Sequence, residues 1–139
     1  MLRAVLDANV IISAAIQPKG ASGQILMRLL QDTAFELIVS PPILSEVRRS
    51  LSYPRVRKYL RMSREDLDLW VTSIELISQP VEGSRRIHVV EADADDDKYI
   101  EAAVEGLAQF IVSGDSHLLD LKTYETIRIV TPRMFLSLL

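Results

Sequence analysis

The sequence predicts an α/β protein with a mainly parallel central sheet that is flanked by helices. Short apolar runs rich in β-branched residues alternate with segments whose apolar residues recur at helical spacing. This alternation is typical of parallel strands joined by helical crossovers. The 139 residues contain no internal repeat and no linker that would divide them, so we expect a single domain over 1–139.

Strands are predicted where a short apolar run is bounded by turn or helix-start signals. They fall at 2–6, 35–39, 110–112 and 127–130, with a further strand or extended segment at 87–90. Helices are predicted at 8–16, 24–30, 41–51, 56–60, 63–77, 95–106 and from 132 onwards. Pro18, Gly20 and Gly23 indicate a loop between the first two helices, and 80–84 is predicted to be another loop.

Two of these helices have specific start signals. Ser40 is a good N-cap and Pro41 occupies the first helical position, where a missing N–H costs nothing. Ser63 and Asp66 resemble a capping box at the start of a longer helix. Because no strand is predicted between 53 and 78, we expect this stretch to stand apart from the sheet as a helical arm.

Composition excludes several classes of protein. Cysteine is absent, which excludes disulfides, thiolate metal sites and cysteine nucleophiles. No apolar run approaches the ~20 residues of a membrane span, and the amino-terminal M-L-R-A-V-L-D-A-N-V lacks the apolar core of a signal peptide. The G-x-S-x-G elbow and the glycine patterns that bind nucleotides are also missing. We therefore expect a cytoplasmic protein.

The formal net charge of −3 conceals a strong asymmetry along the chain. The stretch 48–64 contains seven basic residues and no acidic one, whereas 91–97 contains five acidic residues and no basic one. If a cation neutralises the acidic residues, the remaining surface is basic and suits a polyanion such as RNA. A protein-binding arm and a solvated charged face are the alternatives for 48–64.

Four carboxylates from distant parts of the chain lie close to the ends of predicted strands. They are Asp7, Glu46, Asp97 and Asp115. In an open α/β sheet the carboxyl ends of the strands face one crevice, so these side chains are expected to converge. Converged carboxylates repel one another unless they share protons or hold a cation, and oxygen ligands suit Mg²⁺ or Mn²⁺.

The motifs L-D-A-N-V, S-P-P-I-L-S-E-V, D-D-D-K-Y-I-E-A-A and I-V-S-G-D, taken in this order, resemble those of the PIN-domain family. The likeness is greatest to its VapC-like toxin ribonucleases and extends from residue 6 to about residue 131. It implies a PIN-like fold, Mg²⁺- or Mn²⁺-dependent cleavage of RNA, a homodimer and an antitoxin that masks the site. It also implies that Asp7, Glu46, Asp97 and Asp115 are the catalytic and metal-binding acids, supported by Asn9 and Ser113.

The third acid is a choice within an acidic run. Asp97 is selected because it directly precedes K-Y-I-E-A-A, as the family's acid does, but Lys98 stands where a small or apolar residue is common. Asp96 is the alternative ligand, and Asp93 or Asp95 fits an N-cap. Glu101 and Glu105 continue the spacing from Asp97 and are predicted to form a solvated face.

Two other functions fit parts of the pattern. In the first, the acidic pocket is not catalytic and receives a basic side chain from a partner, which would neutralise it much as a metal does. The second is an aspartate-phosphorylating phosphatase, but that mechanism requires a second Asp where Asn9 stands. His117 lies two residues after Asp115; it is predicted to be a surface or partly packed histidine, with an approach to phosphate as the alternative.

Overall fold

A computed structural model of the chain describes residues 1–90 and 94–139, and within them six strands form one sheet in the order β3-β2-β1-β4-β6-β5. The strands are β1 (Arg3–Leu6), β2 (Glu36–Val39), β3 (Gln79–Pro80), β4 (Phe110–Val112), β5 (Thr123–Tyr124) and β6 (Ile127–Val130). All neighbouring pairs are parallel except β5 and β6, which are antiparallel. The predicted mainly parallel α/β sheet is therefore confirmed.

Helices connect these strands and cover the sheet. They are α1 (Ala8–Ile16), α2 (Ala21–Asp32), α3 (Pro41–Leu51), α4 (Pro54–Arg57), α5 (Arg64–Ile77), α6 (Asp97–Glu105), α7 (Ser116–Leu119) and α8 (Pro132–Leu138), and one turn of 3-10 helix at Ala94–Asp96 precedes α6. None of the helices in the described part of the chain is both long and apolar enough to cross a bilayer. Glu91 and Asp93 of the acidic run lie outside the described residues.

The two central strands are buried on both faces. Val5 and Ile111 are fully buried neighbours in β1 and β4, and Leu6 pairs with Val112 at the ends of these strands. Strands covered on both faces are expected to be continuously apolar, as residues 4–6 of β1 and all of β4 are. This rigid pair determines where the residues that follow it, Asp7 and Ser113, are held.

The predicted arm at 53–78 contains α4 and α5, and α5 is anchored to the body of the protein. Leu67, Val71 and Ile74 are spaced to share one helix face, and all three are buried in the hydrophobic core. The Arg48 guanidinium also lies 2.8 Å from the Glu75 carboxylate and links α3 to α5. The helix α5 is consequently packed against the body of the protein, whereas no residue of α4 is buried.

The loop predicted at Gly23 is wrong. Gly23 lies inside α2, which begins at Ala21, and a Cβ at this position would overlap the Pro18 carbonyl. The glycine is thus explained by a close approach of the α1–α2 connection to the helix, where any side chain would collide with backbone.

The segment 82–90 forms no strand and instead runs along α6 in the opposite direction. Glu105 accepts hydrogen bonds from the backbone N–H groups of 82–85 at 2.6 to 3.3 Å. Glu101 accepts one from Ile87 at 2.8 Å, and Asp97 accepts two from Val89 and Val90 at 3.0 and 2.8 Å. Residues four apart share one helix face. Asp97, Glu101 and Glu105 therefore form a carboxylate ladder along α6 that holds the segment 82–90 against this helix. Glu101 and Glu105 do not form the predicted solvated face.

This carboxylate ladder makes the stability of the protein depend on pH through Glu105. Burial raises the pKa of Glu105, but hydrogen bonds from the backbone of Gly83, Ser84, Glu82 and Arg85 outweigh it, and the pKa is lowered from 4.5. A carboxyl whose pKa is lower in the folded state stabilises the fold above its unfolded pKa. The contribution is lost as the pH falls through the folded pKa.

We therefore expect Glu105→Gln to lower the melting temperature at pH 7 by less than about 3 °C, which corresponds to less than about 1 kcal/mol, because solvent screens the charge of this accessible carboxylate. The difference from wild type should shrink as the pH falls below 4.5 and through the lowered folded pKa, because the wild-type carboxylate is progressively protonated. Thermal unfolding followed by circular dichroism between about pH 7 and pH 3 measures it. Glu125→Gln, at an exposed turn, is the matched control; a Glu105→Gln deficit that is the same at every pH in this range would show that charge is not the cause.

Candidate metal centre

Asp7 is fixed at the carboxyl end of β1. Its backbone N–H donates to the Val112 carbonyl at 2.9 Å, and its Oδ1 caps α1 by accepting from the Asn9 N–H at 3.0 Å. Its Oδ2 accepts from the Ser113 hydroxyl at 2.7 Å. Asp7 and Ser113 are both buried. Asp7 and Ser113 directly follow the paired ends of β1 and β4, and their side chains therefore meet, as the parallel topology predicts.

Burial makes the charge of Asp7 costly. Burial raises the pKa of the Asp7 carboxyl, the Ser113, Asn9 and Tyr99 hydrogen bonds counteract it, and the negative charge of Glu46 raises the pKa further, with a net rise. A nearby cation would reverse this tendency because it favours the ionised form. The environment of Asp7 is consequently suited to a bound cation.

Ser113 connects Asp7 to Asp115. The Ser113 hydroxyl that donates to Asp7 also accepts from the Asp115 backbone N–H at 2.9 Å. Asp115 in turn caps α7 by accepting from the His117 N–H at 2.9 Å, and the His117 Nδ1 lies 3.9 Å from the same carboxyl oxygen. The S-G-D-S-H sequence thus places a carboxylate and an imidazole beside the end of β4.

Asp96 completes a compact group with Asp115 and His117. One ligand atom from each of the three residues lies within 4.8 Å of the others. A hydrogen bond from Asp96 is the main reason why the pKa of Asp115 is lowered; burial opposes it, and the His117 backbone and imidazole add to it. Carboxylates this close repel one another, and a divalent cation between them would offset that repulsion. The oxygen-rich donor set therefore fits a hard divalent ion.

Asp97 is not part of this group. Its Oδ1 accepts from the backbone of Val89 and Val90, and its Oδ2 lies 3.5 Å from the His88 Nδ1. Successive residues at a helix start point in different directions, so Asp96 and Asp97 have separate neighbours. The structure brings together Asp96, Asp115 and His117. It connects Asp7 to Asp115 through Ser113 and places Asp97 in the carboxylate ladder.

Glu46 reaches the centre from α3 through a buried tyrosine. The Tyr99 hydroxyl donates to the Glu46 Oε2 at 2.8 Å and accepts from the Ala8 N–H at 3.2 Å. Burial and the charge of Asp7 raise the pKa of Tyr99 far above its usual range, so the hydroxyl keeps its proton. The Lys98 ammonium lies 2.7 Å from the same Glu46 oxygen.

Tyr99 is not among the site residues that the sequence predicts, and His117 is predicted there to lie at the surface. His117 is indeed exposed, yet its imidazole belongs to the Asp96–Asp115 group. The signal that could have identified Tyr99 is its phenol on an otherwise apolar inward face, because a buried tyrosine hydroxyl needs a polar partner.

An open cleft of about 540 Å³ lies beside these acids. Asp115 lines it together with polar or small residues of α1, α2 and the β4–α7 turn, among them Asn9, Ser13, Ser22, Gly114 and Ser116. Asn9 supports Asp7 through its backbone N–H and also lines this cleft. Asp115 is therefore accessible to a substrate from this side.

Comparisons with known proteins agree with the fold and the motifs. The protein MJ1680 of Methanocaldococcus jannaschii, described as uncharacterized, is 33% identical over 121 residues, which cover 87% of this chain and 76% of the relative. A crystal structure of VapBC2 from Rickettsia felis bound to a DNA fragment from their promoter contains a chain of similar fold. Its TM-score is 0.61 at 12% identity, and the alignment covers 94% of this chain and 98% of that chain. A family model for the PIN domain matches residues 3–117, and the chain therefore belongs to the PIN-domain family, as its motifs predicted.

Proposed function

We propose that the protein is a metal-dependent endoribonuclease whose divalent ion is held by Asp7, Asp96 and Asp115. PIN domains are generally metal-dependent nucleases. The observation that carries the proposal for this chain is the close approach of Asp96, Asp115 and His117, whose ligand atoms lie within 4.8 Å of one another, with Ser113 joining Asp115 to the buried Asp7. Such a group is costly without a cation and gains stability when it binds one.

The chemistry follows from the difficulty of phosphodiester hydrolysis, in which a nucleophile approaches an anion and an alkoxide leaves. A bound divalent ion would lower the pKa of a water molecule that it coordinates, and it would neutralise charge on the phosphoryl and leaving oxygens. Ser113 and Asn9 hold the Asp7 carboxylate in one orientation, and Tyr99 maintains Glu46 beside it. His117 adds an imidazole, a ligand type that suits Mn²⁺ better than Mg²⁺.

We assign the third acid to Asp96 and give Asp97 a positioning role. Asp96 is buried against Asp115, whereas both oxygens of Asp97 face the segment 88–90. Asp97 then acts indirectly, because it holds the segment 88–90 that directly precedes the acidic run 91–97.

The basic stretch 48–64 is proposed to bind the RNA backbone. Most of its basic side chains are exposed, and the tyrosine rings at Tyr53 and Tyr59 are 37% and 59% exposed, with Arg55 and Lys58 within 6 Å of them at 5.7 and 5.1 Å. Exposed aromatic rings among cations suit single-stranded nucleic acid, which offers phosphates and bases to stack.

The wider biological setting belongs to the same proposal. By analogy with the VapBC2 structure, we propose that the protein is the toxin component of a toxin–antitoxin pair. In that role it would work in the cytoplasm as a homodimer, and an antitoxin would cover the acidic cleft.

The proposal is tested by incubating the purified protein with a mixed RNA pool and Mn²⁺ or Mg²⁺, with and without a chelator. We expect cleavage that needs the metal, stops with the chelator and is absent in Asp7→Asn, since Asn cannot provide the anionic ligand. Circular dichroism checks that the variant is folded. If wild type leaves the RNA intact with both metals, the proposal of a nuclease is overturned. The alternative of a non-catalytic acidic pocket that receives a basic side chain from a partner would then be favoured.

A further inference from the structure

We infer that the Lys98 ammonium neutralises the Glu46 carboxylate and thereby prevents Glu46 from binding a metal. The centre then holds one divalent ion, bound by Asp7, Asp96 and Asp115. The inference rests on the proposed metal centre and adds its stoichiometry and a role for Lys98. Four acids in one region would otherwise suit two divalent ions, which is a common arrangement in nucleases.

The first support is the contact itself. The Lys98 ammonium is 2.7 Å from the Glu46 Oε2, and these side chains are only 16% and 27% exposed. The ammonium also lies 5.2 Å from the centroid of the Tyr99 ring, within the range of a cation–π contact. A partly buried ion pair with an additional aromatic neighbour is held in place far better than an exposed one.

The second support is the hydrogen bonding of Glu46. Its Oε2 accepts from both the Tyr99 hydroxyl and the Lys98 ammonium. The oxygen that faces Tyr99 is thus already occupied by two donors. A metal ion at this oxygen would have to displace the ammonium and would meet its positive charge at close range.

The third support is the position of Lys98 in α6. Lys98 is the second residue of the helix, where the positive end of the helix dipole disfavours a cation. Local helix preference therefore does not explain a lysine there, whereas the opposing Glu46 carboxylate does. The charge of Glu46 is balanced by Lys98, and the three remaining acids are left for one divalent ion.

The experiment counts Mn²⁺ ions bound to the metal-free protein, from the electron paramagnetic resonance signal of free Mn²⁺ during a titration. We expect one ion per chain in wild type and in the charge-preserving Lys98→Arg. Lys98→Met should bind two ions per chain, and its affinity for the second ion should be at least 10-fold higher than that of wild type. The double variant Lys98→Met/Glu46→Gln should return to one ion, because the carboxylate that binds the second ion is gone.

Two ions per chain in wild type, or one ion in a folded Lys98→Met, would overturn the inference. Glu46→Gln tests it without altering Lys98: the inference requires one ion per chain, and a loss of the ion relative to wild type contradicts it.

The count distinguishes this inference from the proposed function because no RNA is present. Intact RNA together with one ion in wild type and two in Lys98→Met would overturn the nuclease and support the role of Lys98. A wild-type protein that binds no Mn²⁺ would overturn both.

Discussion

Asp96→Asn is expected to reduce metal-dependent RNA cleavage by at least ~100-fold, whereas Asp97→Asn should reduce it far less. Losing only a partner of a metal ligand already costs about 10–100-fold in metal affinity or activity, and Asp96 is proposed to be a ligand itself. Its carboxylate lies within 4.8 Å of ligand atoms of Asp115 and His117. The Asn side chain is nearly isosteric but offers no negative charge to the ion.

Asp97→Asn is expected to act on stability instead. The Asp97 carboxylate is buried and accepts from two backbone N–H groups, those of Val89 and Val90. Hydrogen bonds to a charged acceptor contribute about 1.5–3 kcal/mol, and the Asn oxygen retains part of this. We therefore expect a loss of about 1–2 kcal/mol in the free energy of unfolding.

Initial cleavage rates at saturating Mn²⁺ and urea unfolding, measured on both variants, separate the two roles. Asp95→Asn, at the exposed neighbouring position, is the control and should remain within a few-fold of wild type. If Asp97→Asn were inactive at wild-type stability while Asp96→Asn stayed active, Asp97 would be the third acid and the present assignment would fail.

The positions of Asp7 and Ser113 could be predicted because they depend on topology. Each directly follows a buried strand, and parallel strands that pair end to end bring the next residues together. Leu6 and Val112 are paired in this way, and the contact between Asp7 and Ser113 follows from it. The apolar character of these strands is visible in the sequence, so the location of the centre is visible too.

The choice between Asp96 and Asp97 could not be predicted because both belong to one helix start. Adjacent residues there differ in direction by about 100°, which follows from 3.6 residues per turn. Which of them faces Asp115 depends on where the segment 82–90 lies, and that segment is held by side chains of α6. The interaction is between distant residues and leaves no periodic signal in the sequence.

Short elements were missed for a similar reason. The helix α7 and the strand β5 contain four and two residues, which is too short for an apolar period to be recognised. The two-residue strand β3 was placed in a loop because Pro80 is a loop signal. Proline is tolerated at the edge of a sheet, and β3 is the edge strand next to β2.

Gly23→Ala is expected to destabilise the protein by about 2–4 kcal/mol, since overpacking against rigid neighbours carries costs of this order. The new Cβ would overlap the Pro18 carbonyl and lie 2.7 Å from its Cα. The colliding atoms belong to the backbone, so no rotamer change can relieve the clash, and α2 must move away from the α1–α2 connection. Ser22, the preceding residue, lines the cleft beside Asp115, and we therefore expect RNA cleavage to fall as well.

Urea unfolding of Gly23→Ala and Gly114→Ala tests this reading of the glycine. A Cβ at Gly114 would meet no atom within 4 Å, so Gly114→Ala should change the free energy of unfolding by less than about 0.5 kcal/mol. If Gly23 were only a loop residue, the two variants would be equally stable. A large loss confined to Gly23→Ala would show that the glycine is required by the contact between two backbone segments, which bring α1 and α2 together beside the acidic centre.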